Sequence, residues 1–528
     1  MNHVPPSVPE PPTQRLARRH LLAWAIFGLL IVGLSLWNLD GPAMWWDEGW
    51  TLSVASHWAT DGLYGRLRDG LPARPGLEAS FTTTIPVGLT MRLLGVGLWQ
   101  GRVFGVICAT AVILLLAALA ARLYNHHVAI ATVGVTLLMS IHPQVHPLLQ
   151  GRQVLAEMPM LAYLLASYLC LWWALTWRWF AVIPTALFLG IAWVSKGQTA
   201  PFLMVSLGST ILVALIARRW RIAAICAASL AGAYVVAVML PQFAYAQLMD
   251  PKLPADPVTG LLGMIAVVLT PFHRVYALQN LLISGLPTVL ALLWGLWMLW
   301  HDRILVRTAT PSWYVRFALL AFIGSWLAWF LLLSVGVPRY MAPPIVISSP
   351  FVAAWLYALT EGFALDVQAK RLVDLLTLRQ PSRAGLLSLL TLLLVTVAVC
   401  LTGMTCPRYF FVEDRSAQRV AALLNALPPG TRIETYESEL HFLLKQPYTF
   451  PPDQVHVGLG LRSLLIDKQA PVVYDPLRND PAYLVVGRFA RESNLYTPVL
   501  ASGAFRLVQE DGRYEIYTRI PAPSGGTP

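Results

Sequence analysis

Eleven apolar runs, each long enough to approach a bilayer's width, fill most of residues 21–402 of this chain. They lie at about 21–39, 102–121, 127–142, 155–176, 180–195, 200–217, 222–241, 279–300, 315–335, 341–360 and 385–402. Inside lipid every backbone N–H and C=O must be satisfied within its own segment, so such runs can only be helices. With 56% hydrophobic and 12% charged residues among 528, no ordinary soluble fold accommodates the chain. The expected fold is an all-α polytopic membrane domain of about eleven transmembrane helices plus interfacial helices. Thr84–Trp99, with Arg92 in mid-run, and Gly260–Thr270, too short to cross, are read as interfacial.

Charge sets the topology. With Thr84–Trp99 not spanning, Arg122, Arg178, Arg218, Arg219, Arg221, Arg303, Arg307, Arg316, Lys370, Arg371, Arg379 and Arg383 face the cytoplasm. Arg152, Lys196, Lys252, Arg274 and Arg339 face out. The reverse arrangement inverts the bias that the positive-inside rule demands. A multi-pass plasma-membrane protein with a cytoplasmic N-terminus follows. The net charge of +11 therefore orients helices against an anionic leaflet and does not point to nucleic acid. Arg15, Arg18 and Arg19 before the first run resemble the start of a signal peptide, but the run's length and its Trp-Asn-Leu-Asp exit mark a retained helix. Four of five cysteines (Cys108, Cys170, Cys226, Cys400) lie within apolar runs, so no disulfide framework or metal motif is visible.

Three units are expected: a disordered cytoplasmic tail over 1–20, including the Pro-rich Val4–Pro12, a membrane domain over 21–402, and a small extracytoplasmic α/β domain over 403–528. In the last, an amphipathic helix at Ser416–Leu427 precedes strand-like runs at Arg432–Tyr436, Val472–Tyr474, Tyr483–Val486, Phe505–Val508 and Tyr514–Tyr517, and Pro-Ser-Gly-Gly-Thr-Pro closes the chain as a flexible end.

Candidate chemistry gathers at the outward-facing loops. Trp45-Trp46-Asp47-Glu48-Gly49-Trp50 sets two acids among tryptophans directly after the first run. A carboxylate partly shielded from water there suits a general base, and Trp46 and Trp50 suit a sugar ring or an isoprenoid chain. The bland alternative is an interfacial aromatic belt with two solvated acids. On a helix the two acids diverge by about 100°, which favours one of them for any single task. Arg152 and Glu157 flank the entry to another run, where a carboxylate is costly unless satisfied; the alternative is a helix-start acid favoured by the dipole. Lys196 and Arg339, the latter beside Tyr340, sit against the positive-inside trend and with Arg152, His273 and Arg274 would form an anion site. The alternative for each cation is snorkelling at a helix end. His142 and His146 have metal-ligand spacing, but Pro143 and Pro147 interrupt the helix that it assumes.

In this order the motifs resemble the integral-membrane glycosyltransferases of the GT-C fold, in particular the protein O-mannosyltransferase and aminoarabinose transferase group. The resemblance spans roughly residues 20–360. It rests on Trp46-Asp47-Glu48, Gly101-Arg102-Val103-Phe104-Gly105, Arg152 to Pro159, Ser195-Lys196-Gly197 and Pro338-Arg339-Tyr340. It implies a polyprenyl-phosphate sugar donor, transfer on the extracytoplasmic side and two interfacial helices in the first outer loop. The chain departs from the family at Thr82-Thr83-Thr84-Ile85-Pro86, where Lys-Pro-Pro or His-Pro-Pro is usual, and at Glu157, where Asp is.

The reading that follows is an inverting glycosyltransferase with Asp47 as base. Glu48 and Glu157 position the acceptor or a divalent cation, and Lys196 and Arg339, helped by Arg152 and Arg274, hold the donor phosphate. Trp46, Trp50 and Tyr340 contact sugar or lipid. The acceptor is a lipid, a glycan or a protein, and membrane lipids surround the whole. The rival is a transporter or lipid-linked-sugar flippase with an outer accessory domain, a class that usually carries internal repeats and midplane acids; neither is apparent here.

Overall fold

The computed structural model describes residues 14–250, 267–301, 310–377, 382–465 and 473–521. The Pro-rich tail, most of Gly260–Thr270 and the chain's last seven residues fall outside these. Each of the eleven expected runs falls on helix: α1 (Gln14–Leu36), α4 (Leu98–Leu123), α5 (His126–Leu138), α7 (Glu157–Thr176), α8 (Val182–Ser195), α9 (Ala200–Ile216), α10 (Trp220–Leu248), the pair α11 (Pro271–Ser284) and α12 (Leu286–His301), α13 (Pro311–Leu332), α14 (Ala342–Leu359) and α16 (Arg383–Thr405). Between them lie α2 (Trp46–Asp61), α3 (Phe81–Leu94), the single turn α6 (Pro147–Gly151) and the amphipathic α15 (Leu365–Leu376).

Among the described residues seven helices are long and apolar enough to cross a membrane by length and composition, or eight if the bent pair is one span. Some of the expected runs form shorter helices. At 1.5 Å per residue the 13 residues of α5 rise only about 20 Å, against a hydrocarbon core of about 30 Å. The expected run 279–300 is likewise broken: α11 and α12 meet at 81°, with Gly285 and Pro287 at the corner.

Close helix packing depends on small residues. A Cβ on Gly105 of α4 would stand 2.4 Å from the Gly151 carbonyl oxygen, and one on Gly190 of α8 would stand 2.5 Å from Val236 of α10. These approaches set α4 against α6 and α8 against α10, and α13 adds the fully buried Trp326, whose ring centroid lies 4.3 Å from that of Phe202 on α9.

The C-terminal region builds a five-stranded sheet in the order β4-β3-β5-β7-β6, from β3 (Ile433–Thr435), β4 (Tyr448–Thr449), β5 (Tyr483–Val486), β6 (Phe505–Asp511) and β7 (Tyr514–Arg519). The β3 pairings are parallel and those of β7 antiparallel. The expected strand at Val472–Tyr474 does not form at Val473 and Tyr474, and Val472 lies outside the described residues. The Tyr474 hydroxyl instead donates to the buried Glu434. Elements not foreseen are β4, the hairpin β1 (Arg66–Arg68) with β2 (Leu71–Ala73), and the helices Ser438–Leu443 and Asp453–Leu465.

This region is seated on the loop after α1. Arg66 grips Asp453 through two hydrogen bonds of 2.9 Å with both side chains buried, and Asp69 N–H donates to the Tyr448 carbonyl at 2.7 Å. Gly49 of α2 lies so close to Ser438 and Glu439 that a Cβ there would come within 2.3 Å of the Glu439 nitrogen.

Candidate active site

Four charged residues from four separate segments meet at the end of the bundle that carries the C-terminal sheet. Asp47 comes from the first turn of α2, Glu157 from the first turn of α7, Lys196 from the break between α8 and α9, and Arg339 from the turn before α14. Arg339 joins them: Nη1 donates to Asp47 Oδ2 at 2.6 Å, and Nε lies 3.3 Å from Glu157 Oε1. Lys196 Nζ donates to the same Glu157 oxygen at 2.6 Å. The Trp45 indole N–H donates to Asp47 Oδ2 at 3.3 Å. Tyr340 lies beneath both cations, 5.5 Å from Lys196 Nζ and 5.9 Å from the Arg339 guanidinium carbon, and its backbone carbonyl accepts from the buried Trp326 indole at 2.7 Å. The turn holding Arg339 is thus pinned to the bundle core. Asp47 is 36% exposed and Glu157 only 3%, so an incoming group reaches Asp47 first.

The other expected site residues are placed differently. Glu48 is inaccessible and bound by Arg102, Nε to Oε1 at 2.7 Å and Nη2 to Oε2 at 2.8 Å. It also accepts from the Trp45 and Val154 N–H groups at 3.1 and 3.2 Å, the first of which closes a capping box on α2. Arg102 spends its remaining donors on the carbonyls of Leu39, Pro42 and Ala43. A charge pair that is buried, bidentate and fully hydrogen-bonded ties α2 and the loop before it to α4 and to Val154 ahead of α7, which leaves Asp47 as the acid facing outward. Sequence reasoning noted Arg102 in a motif without giving it this part; an arginine opening a long apolar run is the signal that a buried carboxylate awaits it.

Arg152 Nη1 donates to the carbonyls of Ser35 (3.0 Å) and Trp37 (2.6 Å), and Nη2 to that of Asn38 (2.6 Å), closing the C-terminal end of α1. Arg274 does likewise for α13, donating to the carbonyls of Leu331 and Ser334, and to that of Val268 at 3.0 Å. Trp46 and Trp50 face the C-terminal domain: Trp46 stacks on His456 at 4.7 Å and donates to the Tyr436 carbonyl at 3.0 Å, while Trp50 meets His441 and Phe450 edge-on. His142 and His146 hydrogen-bond to nearby backbone, and among the described residues no three His, Cys, Asp or Glu side chains are grouped to hold a metal ion.

A cavity of about 440 Å³ opens beside Arg339, walled also by Trp45, Arg102, Arg152, Tyr276 and Tyr409. Of the arginines in its lining, Arg339 is the one bonded to Asp47, so an anionic group entering the cavity meets that guanidinium beside the acid.

No protein-family model matches the sequence, and no curated protein matches it. Solved structures do. ArnT from Cupriavidus metallidurans bound to undecaprenyl phosphate superposes with a TM-score of 0.61 at 15% identity, over 97% of this chain and 100% of that one. The apo oligosaccharyltransferase of Archaeoglobus fulgidus superposes at 0.55 and 10% identity, over 95% of this chain and 74% of that one. AglB from the same organism, in complex with an inhibitory peptide and a dolichol-phosphate, gives 0.52 and 10% over 97% and 76%. At such identities the likeness is one of fold, and the chain has the GT-C fold of these membrane glycosyltransferases.

Proposed function

We propose that this protein is a glycosyltransferase that moves one sugar from a polyprenyl-phosphate donor to an acceptor hydroxyl at the extracytoplasmic face, with inversion and with Asp47 as base. The observation that carries the reading is the bridge from Asp47 through Arg339 to Glu157 and Lys196, which sets one accessible carboxylate against two cations. The fold supports it, since similar structures are bound to undecaprenyl phosphate or dolichol-phosphate. In this reading the N-terminus is cytoplasmic, residues 21–402 form the membrane domain and 403–528 the outer one.

Phosphate is already a good leaving group, so the protein supplies a proton acceptor and charge for the departing oxygen. The acceptor oxygen attacks the anomeric carbon while its proton passes to Asp47. The bond from that carbon to the phosphate oxygen breaks, and the electron pair stays on the phosphate. Lys196 and Arg339 balance the charge so formed. Arg339 begins in contact with Asp47, and an arriving phosphate competes for its fork and releases the base for the acceptor. Glu157, shared by both cations, holds them together before the donor binds.

Asp47→Asn keeps shape and hydrogen bonding but removes the proton acceptor. With purified protein and a lipid-linked sugar donor, turnover falls by about two to four orders of magnitude while donor binding persists. Near-wild-type turnover would move the base to Glu157.

A further inference from the structure

Lys196 enters the site from a break between two helices, where its own chain does little to stiffen it. Its backbone is extended (φ −148°, ψ 100°), and a Cβ on the following Gly197 would meet nothing within 4 Å. It shares one oxygen of Glu157 with Arg339, a like charge that repels it. An ammonium on a flexible stem is a point charge with no fork to orient it, so the precision of its placement comes from the backbone that carries it.

That backbone is tied to α3. Ser195, buried at the end of α8 beside Lys196, donates its single hydroxyl proton to the Ile191 carbonyl at 2.7 Å. In the 2.9 Å contact between Ser195 Oγ and the buried Thr82 Oγ1, Thr82 is therefore the donor. Thr82 stands in the first turn of α3, and the residues just before it are tied to the other side of the site. Ala79 N–H donates to Thr51 Oγ1 at 3.0 Å, and Thr51, buried one turn along α2 from Asp47, donates to the Asp47 backbone carbonyl at 3.3 Å. Between these ends the chain is stiff: the N–H groups of Thr83 and Thr84 both bond the Ser80 carbonyl, at 2.8 and 3.0 Å. Ala79–Thr82 thus spans from the turn that carries Asp47 to the break that carries Lys196. Valine would fill the space of either threonine without burying a hydroxyl, so it is the two bonds that distinguish threonine here.

We propose that Thr51 and Thr82 are positioning residues of the transferase centre, the two ends of a strut through the start of α3 that fixes the Lys196 break relative to the turn of Asp47. The inference rests on the transferase reading and adds to it two residues that touch no substrate. Base and cation act at opposite ends of the reaction, one on the acceptor proton and one on the departing phosphate oxygen, so their separation has to match the reacting geometry. The ion pairs of Arg339 join the same groups only until phosphate competes for that fork. The strut involves no charged side chain, and it holds the spacing when those pairs are broken.

The test uses the purified full chain, with a lipid-linked sugar donor for turnover and undecaprenyl phosphate alone for binding. Thr82→Val keeps the shape and deletes the hydroxyl: kcat/KM for the donor falls about tenfold and undecaprenyl phosphate binding weakens, whereas Thr82→Ser keeps both near wild type. In a Lys196→Met background the same Thr82→Val change has little further effect, because the group that it positions is gone. Thr51→Val, at the other end, lowers kcat and leaves undecaprenyl phosphate binding in place. Should Thr82→Val fail to fold, Ser195→Ala interrupts the same contact from α8 and carries the test. Unaltered kcat/KM in the variant that folds, or an equal loss with and without Lys196, overturns the proposal. A wild-type chain that binds no undecaprenyl phosphate sinks the transferase reading and the strut with it, and wild-type binding and turnover that survive loss of the Thr82–Ser195 contact sink only the strut.

Discussion

Arg102 and Glu48 are locked together through two hydrogen bonds of 2.7 and 2.8 Å with neither side chain accessible to solvent. Removing one member leaves the other charged and unpaired. Glu48→Gln should therefore cost about 3–5 kcal/mol of stability, read as a lower unfolding midpoint in detergent. Adding Arg102→Met should recover part of that loss. Turnover per folded molecule should fall far less than in Asp47→Asn, which separates the two neighbouring acids by experiment.

Arg339 touches Asp47 and Glu157 through different nitrogens of one planar fork. Lysine keeps the charge and cannot make both contacts. Arg339→Lys should lower kcat/KM for the lipid-linked donor by about one to two orders of magnitude with yield and unfolding midpoint little changed, and Arg339→Ala should lower it further. Unchanged donor kinetics in both variants would reduce Arg339 to a helix-end cation.

Glu437 and Glu439 lie buried in the C-terminal domain, each with one oxygen lacking a hydrogen-bond partner. Burial first, then their mutual repulsion, pushes the Glu437 carboxyl up from the ordinary carboxylate range. Burial likewise raises Glu439, against the pull of Arg513. A raised carboxyl favours the folded state in its protonated form. Its contribution is whole below the unfolded value and is lost as pH rises through the folded one. Glu437→Gln should thus raise the unfolding midpoint near pH 8 and change it little near pH 5. An equal effect at both values would show that Glu437 does not titrate differently on folding.

On the proposed topology, which rests on the charge bias of the loops, residues 403–528 lie outside the cell. A cysteine replacing Ser502, which is exposed, should react with an impermeant thiol reagent in intact cells when Cys400, the exposed native thiol, is absent. Labelling that appears only after lysis inverts the topology.

The helices were legible because lipid leaves the backbone one solution, and Asp47 because an acid among tryptophans at the end of a span is conspicuous. The partners of those tryptophans were not legible. Trp46 and Trp50 pair with His456, His441 and Phe450, close to 400 residues further along, and no local pattern encodes so distant a contact. Arg152 and Arg274 were read as cations turned toward a ligand since their positions are those of loop charges. Their actual first partners are carbonyls at helix ends, a demand that any helix terminus makes and that no residue spacing advertises. The bend after Ser284 was written in Gly285 and Pro287 yet masked by unbroken apolar character on both sides.

The approach of Gly49 to Ser438 and Glu439 bears on how the protein is made. Trp46 leaves the ribosome 392 residues before Ser438, whose hydroxyl binds its carbonyl. During all of that synthesis the aromatic face of α2 lacks its C-terminal cover, and the turn that carries Asp47 completes its contacts only once Ser438 has been made. A nascent chain stopped before Ser438 would display two bare tryptophans at its surface, a ready mark for quality control, so the fold around Asp47 is complete only when the C-terminal sheet region has arrived.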